Sequence, residues 1–346
     1  MILEIIPDVY FKIEIISDYI EILKVLNIGI NIPIPQFKEY IIDTFNKYSV
    51  RAILLKEKQN KELSFNKKEI ITGVAIIFNE DSETLFFGFF GVCNHDSNRI
   101  QKLINTLLNY AKNKKFRYIN GPINIPTIIF GFGFKIKGLD KKLCIGKPLN
   151  PLIYPQNFMK NGFYPKHIFD SYSFSFRYIN LKLINYNFSD YEFLNIKVED
   201  LANYIKDILN LHVKNMPKFT QITPNPQKNA MIIYYYLLDN AEKYDIWIVR
   251  HKSSNNIIGC GYKIPNPFSK NQFYFEQYII DKSHQEKGLS ILMGAKIMEY
   301  ELKNKKDENV TGIMLIENKN KKMIRYSKKY FKALKDGIYL VLEYKL

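Results

Sequence analysis

"DKSHQEKGLSILMGAKIMEYE", residues Asp281 to Glu301, is the stretch from which the fold is read. It follows an apolar run ending in "YIID" and crosses a charged tract holding one glycine, Gly288, before a helical apolar period sets in. The spacing predicts a helix over 289–304, with Ile291, Leu292, Ala295, Met298 and Leu302 on one stripe. A strand that hands over to a helix through such a turn offers an anion site. The amides of the turn and of the first helical positions have no intrahelical partner, and the helix dipole adds to their field. Gly288 permits a positive φ or a close approach to phosphate, and Ser290 is small enough to leave room.

Upstream of this turn, strands are expected at 243–251, 256–265 and 272–281, and a further strand at 310–317 follows the helix. The first half has the same order. Strands at 50–57, 69–78 and 84–93 precede a helical stretch with Ile100, Leu103, Leu107 and Ala111 in phase and Ser97 as its expected N-cap. "FRYINGP" then reads as a short strand stopped by Gly121 and Pro122. One element order met twice predicts a duplicated fold joined near residue 180.

Composition sets the outer bounds. Of 346 residues, 47% are hydrophobic and 24% charged, the profile of a folded chain long enough for two domains. Fifty basic against 34 acidic residues give a net charge of +16. That excess suits a phosphorylated cofactor, an anionic membrane surface or nucleic acid, and it also follows from a Lys- and Asn-rich codon bias. Cys93, Cys144 and Cys260 lie far apart with no CxxC spacing, so neither a disulfide framework nor a structural zinc site is expected, and a reducing compartment is. Burial accounts for Cys260, since no histidine neighbour is signalled. The N-terminal apolar run carries Glu4 and Asp8 and lacks a basic leader. No metal and no nucleic acid are expected, and the cytoplasm, with peripheral contact at the inner membrane surface, is the expected location.

The turn is neither GxxxxGK[ST] nor GxGxxG. "QEKGLS" (285–290) resembles the (Arg/Gln)-x-x-Gly-x-(Gly/Ala) signature of the GNAT acyltransferases, with Ser290 departing at the last position. "GIMLIENKNKKMIRYSKKYFKAL" supplies the later strand, asparagine and helix of that family, and "YPQNFMKNGFYPKHIFD" its closing helix and strand. The resemblance covers nearly the whole chain. It implies an α+β fold of two tandem GNAT domains, 1–180 and 181–346, each a mostly antiparallel mixed sheet flanked by helices. A single acyl-CoA site is implied in the second, because "NHDSNRI" stands in the first half where "SHQEKGL" stands in the second.

The family's arrangement assigns the remaining roles. Main-chain groups of Ile279 and Ile280 would pair with pantetheine, and the turn Gln285, Glu286, Lys287, Gly288, Leu289, Ser290 would hold the pyrophosphate of acetyl-CoA or a long-chain acyl-CoA, with Asn320 at the family's asparagine position. Glu276, in the middle of the fourth strand, is the candidate base for the acceptor amine; a solvent-facing strand residue is the plainer reading. The family's acidic tyrosine falls at Ser327 here, so the neighbouring Tyr326 is assigned to the leaving thiolate. His284 flanks the turn, where a surface histidine is expected.

A narrower resemblance runs through residues 86–170, to the tandem-GNAT group that includes bacterial ceramide synthases. Gly88, Gly91, Gly121, Pro122, Asn124, Asn150, Pro151, Tyr154, Gly162 and Asp170 carry it, while "NIPTIIFGF" departs from it. It implies a long-chain sphingoid base as the amine acceptor. Three other readings stand beside it: a peptide-directed transferase of the myristoyl type, a Fem-type transferase using aminoacyl-tRNA, and a non-catalytic basic module docking on acidic surfaces through runs such as "NKNKKMIRYSKK".

Overall fold

The structure is a computed structural model that describes residues 11–29, 38–58, 69–138, 144–175, 188–215, 231, 245–266, 268, 272–304 and 311–346. At residues 58, 128, 198, 245, 264, 265, 273–278, 298, 301 and 302 the backbone alone is described. Two compact units emerge, and they interleave along the chain. Unit 1 comprises Met1–Phe134, Pro148–Lys166 and Val341–Leu346; unit 2 comprises Lys135–Lys147 and His167–Leu340.

In unit 1 the strands β1 (Phe11–Ile16), β2 (Arg51–Lys58), β3 (Glu69–Phe78), β4 (Thr84–Val92) and β5 (Tyr118–Gly121) lie in that order. Pairing is antiparallel except between β4 and β5, which run parallel from Thr84↔Tyr118 to Phe86↔Asn120. The free edge of β5 is closed by the chain's last strand, with Leu342↔Gly121 through Lys345↔Tyr118 in antiparallel register. Helices α1 (Tyr19–Gly29), α2 (Lys38–Lys47), α3 (Ser97–Asn113), α4 (Thr127–Phe130) and α5 (Ile153–Lys160) complete the unit. The stripe expected for α3 is the buried one: Ile100, Leu103, Leu107 and Ala111 are all fully covered. Its N-cap is Asp96 rather than Ser97. The longer aspartate side chain accepts from the Arg99 amide at 2.9 Å, which makes Ser97 the first helical residue.

Unit 2 repeats the plan with β8 (Tyr191–Ile196), β9 (Asp245–His251), β10 (Ile257–Pro265), β11 (Gln272–Ile280) and β12 (Thr311–Glu317). Here the edge of β12 is closed by β7 (Tyr164–Ser175), a strand from the first half of the sequence, in register from Thr311↔Ser175 to Glu317↔Phe169. β6 (Phe134–Lys137) pairs with β13 (Leu334–Lys345). Each unit therefore takes its last strand from the opposite half of the sequence. Helices α6 (Val198–Asn215), α7 (Leu289–Asn304) and α8 (Lys321–Phe331) flank this sheet.

α7 has the predicted limits but a rotated face. Leu289, Met293 and Ile297 enter the core with Trp247, Val249, Met314 and Phe331; of the expected stripe Ala295 is buried, Ile291 and Leu292 are only half-buried, and the side chains of Met298 and Leu302 lie outside the described residues. Apolar residues surround most of this helix, so periodicity does not choose the face; the sheet does. At Gly312 a Cβ would stand 2.1 Å from the ring of Phe174, so glycine allows that ring to lie across β12. Among the described residues no helix is long and apolar enough to cross a membrane.

Candidate acyl-donor site

The site in unit 2 begins where two parallel strands part. β11 and β12 pair at Gln272↔Thr311, Phe273↔Gly312 and Tyr274↔Ile313, and no further pair joins them among the described residues. On its other side β11 follows β10 to the end, through Tyr262↔Glu276, Cys260↔Ile279 and Gly259↔Ile280. Two residues of β11, 277 and 278, thus stand opposite the single residue Gly261, which is a β-bulge. The Asp281 amide donates to the Ile258 carbonyl at 2.7 Å. By strand alternation the peptide groups of Ile279 also face β10, while those of Ile280 look into the gap beyond Tyr274. Of the two isoleucines expected along pantetheine, Ile280 alone turns its main chain away from β10, and its carbonyl accepts from the Gln285 side chain.

The turn is built from its ends inward. Asp281 accepts from the Ser283 amide at 3.0 Å, the Ser283 hydroxyl at 2.7 Å and Lys214 at 2.8 Å, while Asn215 accepts from the Lys282 amide at 3.0 Å. The Lys214 ammonium, followed by Ser283, holds the Asp281 carboxyl far below the usual carboxylate range. Gln285 folds back to donate to the Ile280 carbonyl at 2.9 Å. Glu286 (φ 69°) and Gly288 (φ 78°) adopt left-handed conformations, and the Gly288 carbonyl accepts from Ile291 and Leu292 at 3.0 and 3.1 Å. The amides of Glu286, Lys287, Gly288, Leu289 and Ser290 donate to nothing among the described residues. Five consecutive donors at a helix N-terminus are thus left without an acceptor among the described residues, the arrangement in which an anion can be held.

Side chains frame that cradle. Glu286 points outward to Lys322 at 2.6 Å, and Lys287 donates to the Tyr191 hydroxyl at 3.3 Å. His284, half-buried, meets the same hydroxyl through Nδ1 at 3.1 Å, and its ring stands 5.1 Å from that of His251. Burial, then the charges of Lys287 and His251, push its imidazole below the ordinary histidine range.

Tyr326 projects from α8 with its hydroxyl oxygen buried and in no hydrogen bond. Burial pushes this phenol well above the usual tyrosine range, and the Ser290 hydroxyl opposes the rise from outside bonding geometry. Ser290 and Tyr326, both singled out in the sequence, therefore meet at the first turn of α7. Asn320 has a different duty: its Oδ1 caps α8 by accepting from the Met323 amide at 3.0 Å. Ser327 is fully buried and donates to the Ile324 carbonyl at 3.0 Å. Glu276 occupies β11 next to the bulge, opposite Tyr262; its side chain lies outside the described residues.

A histidine neighbour of Cys260 does exist, contrary to the expectation from sequence. His212, from α6, is 1% exposed and has Nε2 3.6 Å from the Cys260 sulfur and hydrogen-bonded to the Tyr262 hydroxyl. Its Nδ1 is buried without a partner. Burial pushes the Cys260 thiol up to about 12, so the thiol is no nucleophile at neutral pH. The 48 residues separating this pair leave no local trace of their contact. Burial also pushes the His212 imidazole down to about 3. An unfolded histidine takes up a proton near 6.5, so folding is opposed increasingly as pH falls from there toward 3. Denaturant unfolding should lose about 1.4 kcal/mol per pH unit through this group at the acid end of that window. His212→Gln should flatten the decline between pH 6 and 4.5; an unchanged slope would mean that the ring is solvated.

Unit 1 has the same bulge and the same parting of strands, but both are occupied by the chain itself. Val74↔Gly91 and Ile76↔Gly88 place two residues of β4 against one of β3, with Phe89 at φ 47°. The Phe89 amide donates to Asn124 Oδ1 at 2.6 Å, and the Ile123 amide donates to the Phe87 carbonyl at 2.7 Å. A Cβ at Gly88 would sit 2.0 Å from the Ile123 oxygen. At the corresponding turn Asp96 lays its own carboxylate on the start of α3, and Arg99 turns inward to Glu57 at 2.5 and 2.8 Å. Tyr154 closes the same corner, accepting from the Val92 amide at 3.0 Å and meeting His95 at 2.9 Å. Gly88, Asn124 and Tyr154 thus have packing duties in unit 1.

No protein-family model matches the chain, and no curated protein matches it. Solved structures do. A tandem GNAT protein from the clavulanic acid biosynthesis pathway superposes with a TM-score of 0.62 at 8% identity, over 97% of this chain and 98% of that one. A GCN5-related glucosamine N-acetyltransferase region of a fungal multi-domain GH3 beta-N-acetylglucosaminidase gives 0.60 at 11% identity, over 98% of this chain and 38% of that one. A conserved protein of unknown function from Enterococcus faecalis V583 gives 0.58 at 8% identity, over 97% and 73%. The likeness is one of fold: this chain folds as a tandem GNAT protein, a mixed α+β architecture of mostly antiparallel sheet flanked by helices.

Proposed function

We propose that unit 2 binds an acyl-CoA thioester and transfers its acyl group to an amine. One observation carries this reading: the gap between β11 and β12 opens beside five amides with no acceptor of their own. Pantetheine is an extended chain of amides that can add to the Ile280 edge as a further strand would, while the diphosphate takes the amides of 286–290. The amine nitrogen attacks the thioester carbonyl carbon, the C–N bond forms and the C–S bond breaks. A main-chain amide freed by the bulge in β11 stabilises the oxygen that gains charge. Glu276, directly or through water, takes the proton lost by the amine, and the phenol of Tyr326 donates to the departing thiolate. A phenol held well above its usual range stays protonated at neutral pH, so it donates a hydrogen bond to the sulfur as charge gathers there, and the proton that completes the thiol is the one lost by the amine.

Unit 1 has no such role in this scheme. Its bulge amide donates to Asn124, its interstrand gap is spanned by the Ile123–Phe87 hydrogen bond, and at its helix start the Asp96 carboxylate accepts from the Arg99 amide. For the acceptor we take a long-chain sphingoid base, on the strength of the residues shared with the ceramide synthase-like group. Two assays test the reading. Calorimetry on the intact chain should show binding of acetyl-CoA and palmitoyl-CoA; no heat with either removes the donor site. Release of free thiol from palmitoyl-CoA should then depend on added dihydrosphingosine; no release with any long-chain base retires that acceptor and leaves the donor site standing.

A further inference from the structure

We propose that the outer face of α8 is a docking surface for an acidic protein that carries the acyl group on a phosphopantetheine arm, so that unit 2 accepts its donor from such a carrier as well as from free CoA. The proposal rests on the acyl-donor reading of the turn at 285–290.

Lys319, Lys321, Lys322, Arg325, Lys328 and Lys329 are all exposed, and no acidic residue interrupts them between 319 and 329. The whole chain has 34 acidic residues to 50 basic ones, so a lysine-rich composition alone would intersperse carboxylates here as it does elsewhere. Of the six, Lys322 has a carboxylate partner, Glu286 of the donor turn at 2.6 Å. Lys319, Lys321, Arg325 and Lys328 have none among the described residues. Unpaired cations packed along one helix face repel one another, a cost that an acidic partner removes.

Position gives this face its meaning. The inward side of α8 brings Tyr326 to Ser290 at the start of α7, and Lys322 ties its first turn to the donor loop. The cations therefore belong to the helix that Lys322 joins to the donor turn. Free CoA needs few of them, because the turn already offers five amides to its diphosphate. A phosphopantetheine arm uses the same amides through its one phosphodiester, and the acidic body at its far end meets the cations outside. A lipid surface fits less well. Met323, Ile324, Tyr326, Tyr330 and Phe331, the apolar residues of α8, are packed against the core of unit 2, which leaves this helix no apolar face to insert.

The test titrates the full-length chain with a bacterial acyl carrier protein loaded with a palmitoyl-phosphopantetheine arm, the same carrier without the arm, palmitoyl-CoA, and vesicles of equal phosphatidylglycerol and phosphatidylcholine. The comparison variant is Arg325→Glu/Lys328→Glu, two exposed positions that leave the residues of the turn and Tyr326 themselves unchanged. The loaded carrier should bind, at least tenfold more tightly than the bare one and less tightly as salt rises. The double variant should lose tenfold or more in carrier affinity while palmitoyl-CoA affinity stays within twofold. Carrier binding that ignores the charge reversal overturns the proposal, as does vesicle binding that is abolished by it in place of carrier binding. Binding of palmitoyl-CoA without binding of the carrier sinks the docking surface alone. Failure of both sinks the donor turn beneath it.

Discussion

Gly288→Glu should abolish acyl-CoA binding to the intact chain, weakening it by about a hundredfold or more, equivalent to ~2.7 kcal/mol. Two effects combine. Gly288 sits at φ 78°, where any side chain is strained, and the new carboxylate would enter the ring of amides 286–290 that lack acceptors. It would occupy the cradle and repel the diphosphate at once. Gly288→Ala separates these effects. It keeps the amides and adds no charge, so it should cost about 1 kcal/mol of stability from the left-handed backbone and only a few-fold in CoA affinity. Calorimetry with acetyl-CoA reads both variants, and circular dichroism melts confirm that they fold. Equal affinity for CoA in wild type and Gly288→Glu would detach the turn from the donor. The Fem-type and non-catalytic alternatives predict that equality, because neither engages a CoA diphosphate.

The second large effect lies at Tyr326. Its hydroxyl is buried, makes no hydrogen bond and belongs to a phenol held protonated by its surroundings. A buried donor without a partner costs stability, about 1–3 kcal/mol in desolvation. Removing it in Tyr326→Phe should therefore leave the melting temperature unchanged or raise it. Activity should go the other way, with kcat down about a hundredfold and the KM for acyl-CoA within a few-fold, since the phenol acts on the leaving thiolate and not on the bound thioester. A stability gain joined to a loss of kcat separates a functional hydroxyl from a packing one. If Tyr326→Phe lowers stability and spares kcat, the phenol is a core aromatic and the thiolate is stabilised from elsewhere.

Much of this could be read from the chain because the signals were local. The strand over 69–78, the helix over 289–304 and the turn with its left-handed glycine between strand and helix are all set by neighbours within a few residues. What stayed hidden was long-range. The pattern of Tyr164–Ser175 announces a strand, but nothing in it says that its partner is β12, some 140 residues further on. The same holds for Asn124, whose carboxamide fills the bulge of β4, and for His212, brought to Tyr262 by the packing of α6 on β10. Asn320 shows a different limit. A matching position in a resemblance does not say what the side chain does, and here its oxygen caps a helix. Ile279 and Ile280 are alike in sequence, yet strand alternation turns one toward β10 and the other toward the gap.

Hydrogen exchange of the intact chain with and without acetyl-CoA, followed by mass spectrometry of its peptides, puts the central claim to the most direct test. The amides of Glu286 to Ser290 face no acceptor among the described residues and should exchange fast in the free protein. On ligand addition the peptide covering 281–292 should slow sharply, while the one covering 93–100 in unit 1 stays as it was. Slowing at 93–100 with no change at 281–292 would contradict the account and move the donor site to the other unit.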